Sequence, residues 1–251
     1  MNLLFYKEGF SFFVSETGKS EKVHHFKVSH FNFWEKEVNK ELETNLRLRK
    51  HFSQVNAAFI SPFFNLVPNE YLGIDAEALL NFSEAEFENN KLLKSPARFG
   101  QTFVYGVSQS VLDRLNSLFS KVKTFHSGSV FVDFIATSGE KRVHINLYEH
   151  NLEIAVSENE KIIYYNLFET LTGEDILFYS LFVFRQLELD TNKTELLCYG
   201  QLLPNTKVFQ IFKKYVRYVK AAIKDEDYLE NFTLYNLSKC ESFQVLSEEK
   251  R

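Results

Sequence analysis

The hydrophobic pattern at the start of the chain reads as three strands. Asn2–Tyr6 and Phe10–Ser15 flank a tight turn at Lys7-Glu8-Gly9, and Lys22–Val28 follows a second turn at Thr17-Gly18-Lys19. Aromatic and β-branched residues favour strands, and glycine favours both turns. The period then changes. Trp34, Val38, Leu42, Leu46 and Arg49 recur at helical spacing, with Glu and Lys filling the other faces, and this predicts a helix over Phe33–Lys50. Asn32, with Glu35 three residues on, is its expected cap.

The same pattern returns in the second half. Arg142–Glu149, Leu152–Ser157 and Lys161–Leu167 read as three strands with short connections. Thr172-Gly173-Glu174-Asp175 opens a helix to about Leu189 that is apolar on nearly every side, as expected of one buried between layers. Further on, Gln101–Val107 (with Tyr105-Gly106) and Glu195–Gly200 (with Tyr199-Gly200) read as corresponding strands. Helices at Ser108–Phe119 and from Pro204 to about Lys214 follow them. Strands at Lys121–Phe125 and Val216–Ile223 come next, then helices at Ser127–Thr137 and Asp225–Leu237. Strand-strand-strand-helix-strand-helix-strand-helix thus occurs twice, and parallel strands joined by helices fit the later part of each copy.

Residues 52–100 have no counterpart in the second copy. They hold strands at Val55–Ile60, at Phe63–Val67 ending on Pro68 and near Lys91–Lys94, with a helix at Asp75–Phe82. A structureless loop of that length would be unusual, so the segment is expected to form a small subdomain. The domain expectation is a first lobe at 1–138, with an insertion at about 52–100, and a second lobe at 139–251.

Composition narrows the function classes. Apolar residues make up 45% and charged residues 25% of 251, which is enough for a sizeable core. A net charge of −4 argues against nucleic acid as a partner. The longest apolar stretch, Ile176–Phe184, spans roughly 14 Å as a helix, about half a bilayer core, so no direct membrane insertion is expected. The N-terminus lacks the basic and apolar regions of a signal peptide. Cys198 and Cys240 give neither a disulfide framework nor zinc-site spacing. Together these predict a cytoplasmic protein. Phe is used 27 times against one Met and one Trp. Compositional bias explains this more simply than an aromatic contact surface, because most Phe residues fall at strand or helix core positions.

A duplicated three-strand layer followed by β-α-β-α units resembles the actin-like ATPase fold, in which each lobe is ribonuclease-H-like. The insertion in the first lobe is similar to that of cell-division and pilus-assembly members. More narrowly, the chain resembles a bacterial family of uncharacterised proteins with that α/β fold. The matching residues are Gly9-Phe10-Ser11-Phe12, Leu66-Val67-Pro68 with Glu70, Asn166 with Phe168, Glu174-Asp175 with Tyr179, and Tyr199-Gly200. The resemblance covers nearly the whole chain. It implies the fold and no activity.

An actin-like ATPase holds nucleotide between its lobes, using glycines and an acidic residue of the first hairpins. Glycine lets backbone N–H groups approach phosphate, and the carboxylate organises metal and water. Here the cleft candidates are Lys7, Glu8 and Gly9 in one hairpin, Glu149 and His150 in the other, and Gly200 in place of paired glycines. Neither first strand ends on Asp, and the second hairpin has no glycine. Plain structural turns are the favoured reading, with no catalytic residue, cofactor or metal. Lone Glu149 also excludes a two-metal nuclease. His24, His25, His30, His144 and His150 lack partners at ligand spacing and are expected at the surface or in turns. His126-Ser127-Gly128-Ser129 lacks a nucleophile elbow, so Ser127 or Ser129 is read as a helix cap. The Lys213, Lys214, Arg217 and Lys220 cluster reads as a solvated face.

Two function classes survive. One is a non-catalytic actin-like scaffold that binds a protein partner, with Phe63, Phe64 and Tyr71 beside Glu70, Asp75 and Glu77 as the candidate contact. The other is a divergent nucleotide-binding ATPase or kinase with atypical phosphate loops. A homo-oligomer is compatible with either.

Overall fold

The structure is a computed structural model and describes residues 1–14, 22–73, 90–135 and 137–240. Two compact units divide it: Met1–Asp133 joined by the described residues from Thr233 onward, and Phe134–Phe232.

In the first unit, β1 (Asn2–Tyr6) and β2 (Gly9–Phe13) form a hairpin with Tyr6 opposite Gly9, and β3 (His24–Lys27) continues antiparallel from β2. After α1 (Trp34–Thr44), β4 (Val55–Phe59) returns parallel to β1. All five β4 residues are buried, as a central parallel strand covered on both faces requires. Beyond β4 come β5 (Phe64–Pro68), β6 (Asn90–Ala97), β7 (Gln101–Ser108) and α2 (Gln109–Leu118). β8 (Val122–His126) then pairs parallel with β4, ahead of α3 (Ser127–Phe134). The main sheet has the order β3-β2-β1-β4-β8.

The second unit repeats that order. β9 (Arg142–Tyr148), β10 (Asn151–Glu158) and β11 (Lys161–Glu169) are antiparallel neighbours. After α4 (Gly173–Gln186), β12 (Glu195–Gly200) runs parallel to β9. After α5 (Lys207–Tyr215), β13 (Tyr218–Ala221) runs parallel to β12. The sheet order is β11-β10-β9-β12-β13. One face of the sheet packs Val143, Ile145, Leu152 and Ile154 against Ile176, Val183, Phe184, Phe209 and Phe212. Each such side chain contributes about 1.5–3 kcal/mol on full burial.

The insertion differs from expectation at both ends. β4 lies inside the main sheet, whereas β7 pairs antiparallel with β5 and β6 in a separate three-stranded sheet. The counterpart of β12 is therefore β4, and Tyr105-Gly106 on β7 does not correspond to Tyr199-Gly200. The added sheet follows the fourth strand instead of preceding it and is made of Phe64–Pro68, Asn90–Ala97 and Gln101–Ser108. The end of the chain also departs from a second lobe running to 251. Leu234 O accepts from Asn2 Nδ2 at 3.0 Å, and Tyr235 meets Phe13 edge-on, so the segment from Thr233 packs on the first unit.

Several helices are shorter than their periodicity predicts. α1 stops at Thr44 because Asn45 turns extended and its side chain accepts the Arg47 N–H, leaving Leu46 exposed. Asn32 is not its cap, since α1 starts from Phe33 with no side-chain cap. The expected helix at 225–237 breaks at Asn231 into α6 (Glu226–Glu230) and α7 (Phe232–Asn236). α5 begins at Lys207, capped by Thr206, and not at Pro204. α4 does have the anticipated acidic first turn, where Thr172 and Asp175 form a capping box. It is not buried all round, however: Phe178 and Phe182 are exposed. The expected turn at 17–19 and helix at 75–82 lie outside the described residues.

Candidate functional site

The two hairpin turns occupy the same place in the two sheets, so their chemistry can be compared position by position. In the first unit, the Glu8 carbonyl accepts the Val28 N–H at 2.8 Å and Lys7 Nζ lies 4.9 Å from the Phe31 ring centre. One Glu8 carboxylate oxygen is buried without a hydrogen bond. Gly9 has φ +146°, and a Cβ there would lie 2.0 Å from Phe26 O. Glycine is required at this position by the approach of β3, which leaves no open cradle beside it.

In the second unit, Glu149 takes φ +52° and its N–H donates to Gln201 Oε1 at 2.9 Å. His150 Nδ1–H donates to Thr170 O at 3.0 Å, while the Thr170 N–H returns to His150 O at 2.7 Å. Gly200 has φ +67°, and a Cβ there would meet Leu147 O at 2.1 Å and Asn146 Oδ1 at 2.6 Å. The Gln201 N–H is also given to Leu147 O. Glu149, His150 and Gly200 are thus brought together, and the amides of Glu149 and Gln201 are bonded to the protein itself.

Beneath the second hairpin lies a buried polar layer that sequence reading missed. Glu153 accepts from Asn146 Nδ2 at 2.6 Å and from Tyr165 OH at 2.8 Å. His144 Nε2 meets Ser157 Oγ at 2.9 Å, and Nδ1 lies 3.4 Å from Tyr199 OH. Burial, with the Arg142 charge adding to it, lowers the His144 pKa to about 3, so the ring is neutral. His144 is fully buried, contrary to the expected surface or turn position. The available signal was strand parity: His144 and Asn146 alternate along β9 with Val143 and Ile145, which makes them inward-facing on the second face of a covered sheet.

The inserted sheet is anchored by residues that carried no functional expectation. His126 is buried and stacks on Phe103 with ring centres 4.7 Å apart. Its Nδ1 accepts the Gly128 N–H, so Nε2–H donates to Ser61 O. Burial holds its pKa down to about 4. The imidazole therefore caps a donor at the start of α3, and Ser129 Oγ donates back to His126 O. Asp133 accepts the Arg98 N–H at 2.7 Å, and burial pushes its carboxyl up to about 7 against the opposing effect of Arg98.

Of the three aromatic contact candidates, Phe64 packs on Phe103 and His126, with ring centres 5.8 and 4.9 Å away. Phe63 is half-buried and its carbonyl accepts the Gly106 N–H. Tyr71 is exposed beside Glu70, and Asp75 and Glu77 lie outside the described residues. Lys213, Lys214, Arg217 and Lys220 are exposed as expected, with Lys220 reaching Glu195 at 2.6 Å. Among the described residues no three His, Cys, Asp or Glu side chains are placed to hold a metal ion, and no helix is long and apolar enough to cross a membrane.

The family described as "Protein of unknown function (DUF3822)" matches residues 1–219. A Bacteroides thetaiotaomicron protein described as having an actin-like ATPase fold and unknown function is similar at a TM-score of 0.80, with 18% identity over 95% of both chains. A chain of the PilM–PilN type IV pilus biogenesis complex is similar at 0.51, with 12% identity over 84% of both chains. The cytoplasmic domain of EpsL from Vibrio cholerae reaches 0.49 at 12% identity, covering 96% of this chain and 94% of that one. No curated protein matches the chain. The likeness to the Bacteroides thetaiotaomicron protein establishes the actin-like two-lobe α/β fold expected from the sequence.

Proposed function

This chain belongs to the DUF3822 family, and from that premise we propose that it works as a non-catalytic actin-like scaffold holding a protein partner. The observation that carries the reading is the closure of the hairpin turns by their own chain. In the second unit the Glu149 and Gln201 amides are already bonded, and Leu147 O and Asn146 wall in Gly200. In the first, Phe26 O fills the space beside Gly9. A phosphate cradle needs converging free N–H groups, so a divergent ATPase or kinase has little to work with at these turns. A chain of similar fold in the PilM–PilN complex is joined to a second protein, which supports partner holding as a use of the fold.

Tyr71 and Glu70 form the contact we assign to the partner, because they are exposed where Phe64 is engaged in packing. Aromatic side chains with a polar rim recur at interface hot spots. Cross-linked capture from the native cell, using the full chain and a Tyr71→Ser, Glu70→Lys variant of unchanged melting temperature, tests the assignment. Loss of a specific partner with the variant is expected. Recovery of the same partners by both forms would place the contact elsewhere.

A further inference from the structure

Within the first unit, a cavity of about 300 Å³ is lined by Phe12, Val14, Lys22, His24, Arg47 and Lys50. Strand parity supplies the first four. Phe12 and Val14 fall on one face of β2 and its continuation. His24 stands opposite Phe12 in the register, with ring centres 5.0 Å apart, and Lys22 lies two residues before it. The turn after α1 supplies the other two. Asn45 accepts the Arg47 N–H through its side chain and the Leu48 N–H through its carbonyl, both at 3.0 Å, and Leu48 is buried. Arg49, by contrast, sends its Nε–H back to Glu43 O at 2.9 Å. The anchored turn thus holds Arg47 and Lys50 at the cavity and draws Arg49 to the end of α1.

Four of the six lining residues are basic and none is acidic, although the chain carries a net charge of −4. A concave space lined by one sign of charge concentrates ligands of the other. Phe12 and Val14 are buried and form the floor, His24 is half-buried, and the three long cations are exposed around it. His24 and Lys50 also contact other groups. The charge argument therefore rests on Lys22 and Arg47, whose side chains form no ion pair among the described residues. A guanidinium presents a planar fork that matches phosphate oxygens, and an ammonium adds a point charge.

We propose that this cavity binds the phosphate monoester of a small organic molecule, with Arg47 and Lys22 holding the phosphate and the organic part resting on Phe12, Val14 and the His24 ring. A phosphate monoester carries about two negative charges near neutral pH, which two separate cations match better than one carboxylate would. Small-molecule pockets run from roughly 300 to 1,000 Å³, so this one takes a ligand well short of a nucleoside triphosphate. The site is independent of the hairpin turns and of the partner contact at Tyr71.

Isothermal titration of the full chain with phenyl phosphate, in phosphate-free buffer at about 0.15 M salt, tests the proposal. Inorganic phosphate and phenol serve as the two halves of the probe. Phenyl phosphate is expected to bind one-to-one and roughly tenfold or more tighter than either half. Arg47→Gln and Lys22→Gln should each weaken it roughly tenfold, and both should melt like the unaltered chain because the side chains are exposed. Arg49→Gln should leave the affinity unchanged. No binding of phenyl phosphate would overturn the proposal. So would equal weakening by Arg49→Gln, which would reduce the effect to general surface charge, or inorganic phosphate binding as tightly as the monoester.

Discussion

The two main sheets place five strands in one order, yet they fill the layer beneath the first hairpin differently. Counted back from the turns, Leu4 and Ser11 of the first unit stand where the second has Asn146 and Glu153. The first unit joins Tyr6, Ser11 and His25 in a short chain of hydroxyl and imidazole contacts. The second buries a carboxylate between two donors. The first unit, in turn, spends its buried imidazole on the inserted sheet through His126, whereas His144 ties β9 to β10 and β12. One topology thus tolerates two polar interiors, provided each buried polar group finds a hydrogen-bond partner. What the units share is the close strand contact at a glycine, Gly9 in one and Gly200 in the other.

The largest expected effect comes from breaking that shared feature. Gly9→Ala and Gly200→Ala each drive a Cβ to about 2 Å from a backbone oxygen at positive φ. Each should cost on the order of 3 kcal/mol or more, read as a melting temperature lower by roughly 6–12 °C. An unchanged melt for either would show that the hairpin relaxes and that the glycine is not demanded by packing.

Acid titration separates the units next. The folded-state pKa values of His126 and His144, about 4 and about 3, lie below the ordinary 6.5. The unfolded chain therefore binds more protons below pH 6.5, and stability present above that pH is lost as pH falls toward 4. Asp133 acts in the opposite sense. Its carboxyl is raised to about 7 from 3.8, so its protonated-state stability is full at low pH and lost as pH rises through 7. These contributions add, so the deeper depression at His144 means His144→Gln should flatten the pH dependence of the urea midpoint more than His126→Gln does, whereas Asp133→Asn should steepen it. Equal slopes in the two histidine variants would remove this distinction.

Within the inserted sheet, Phe64→Ala should destabilise by about 2 kcal/mol because its ring packs on Phe103 and His126. Tyr71→Ala should stay within about 0.5 kcal/mol, as an exposed position does. Denaturant melts of both variants check the contrast. An effect between those two is expected at the helix starts. Thr172→Ala removes the α4 capping box and should cost about 1 kcal/mol, with no equivalent site before α1, where Phe33 offers no side-chain cap.

How much of this was legible follows from the range of each interaction. The repeated three-strand layer was readable because its period-2 runs, and the two-residue turns at 7–8, 149–150 and 159–160, are local. The acidic opening of α4 and the solvated lysine cluster were readable for the same reason. The placement of β4 and β7 was not, since Val55–Phe59 and Gln101–Ser108 are both apolar runs and only pairing over long separations assigns them to different sheets. The buried roles of His126, His144, Asp133 and Glu153 were hidden because their partners lie on other strands or helices. Exposure of Phe178 and Phe182 could not be read either, since an apolar helix in sequence does not say which flank is left uncovered.

Calorimetric titration of the full chain with ATP and magnesium tests the central claim most directly. If both hairpins are closed by their own chain, no heat of binding is expected up to millimolar nucleotide, and the melting temperature should stay put. A ligand at a hundred times its dissociation constant would stabilise the fold by ~2.7 kcal/mol, well within reach of a melt. Micromolar binding that Lys7→Ala or His150→Ala weakens, in variants that melt like the unaltered chain, would contradict the scaffold account and make these turns a nucleotide site.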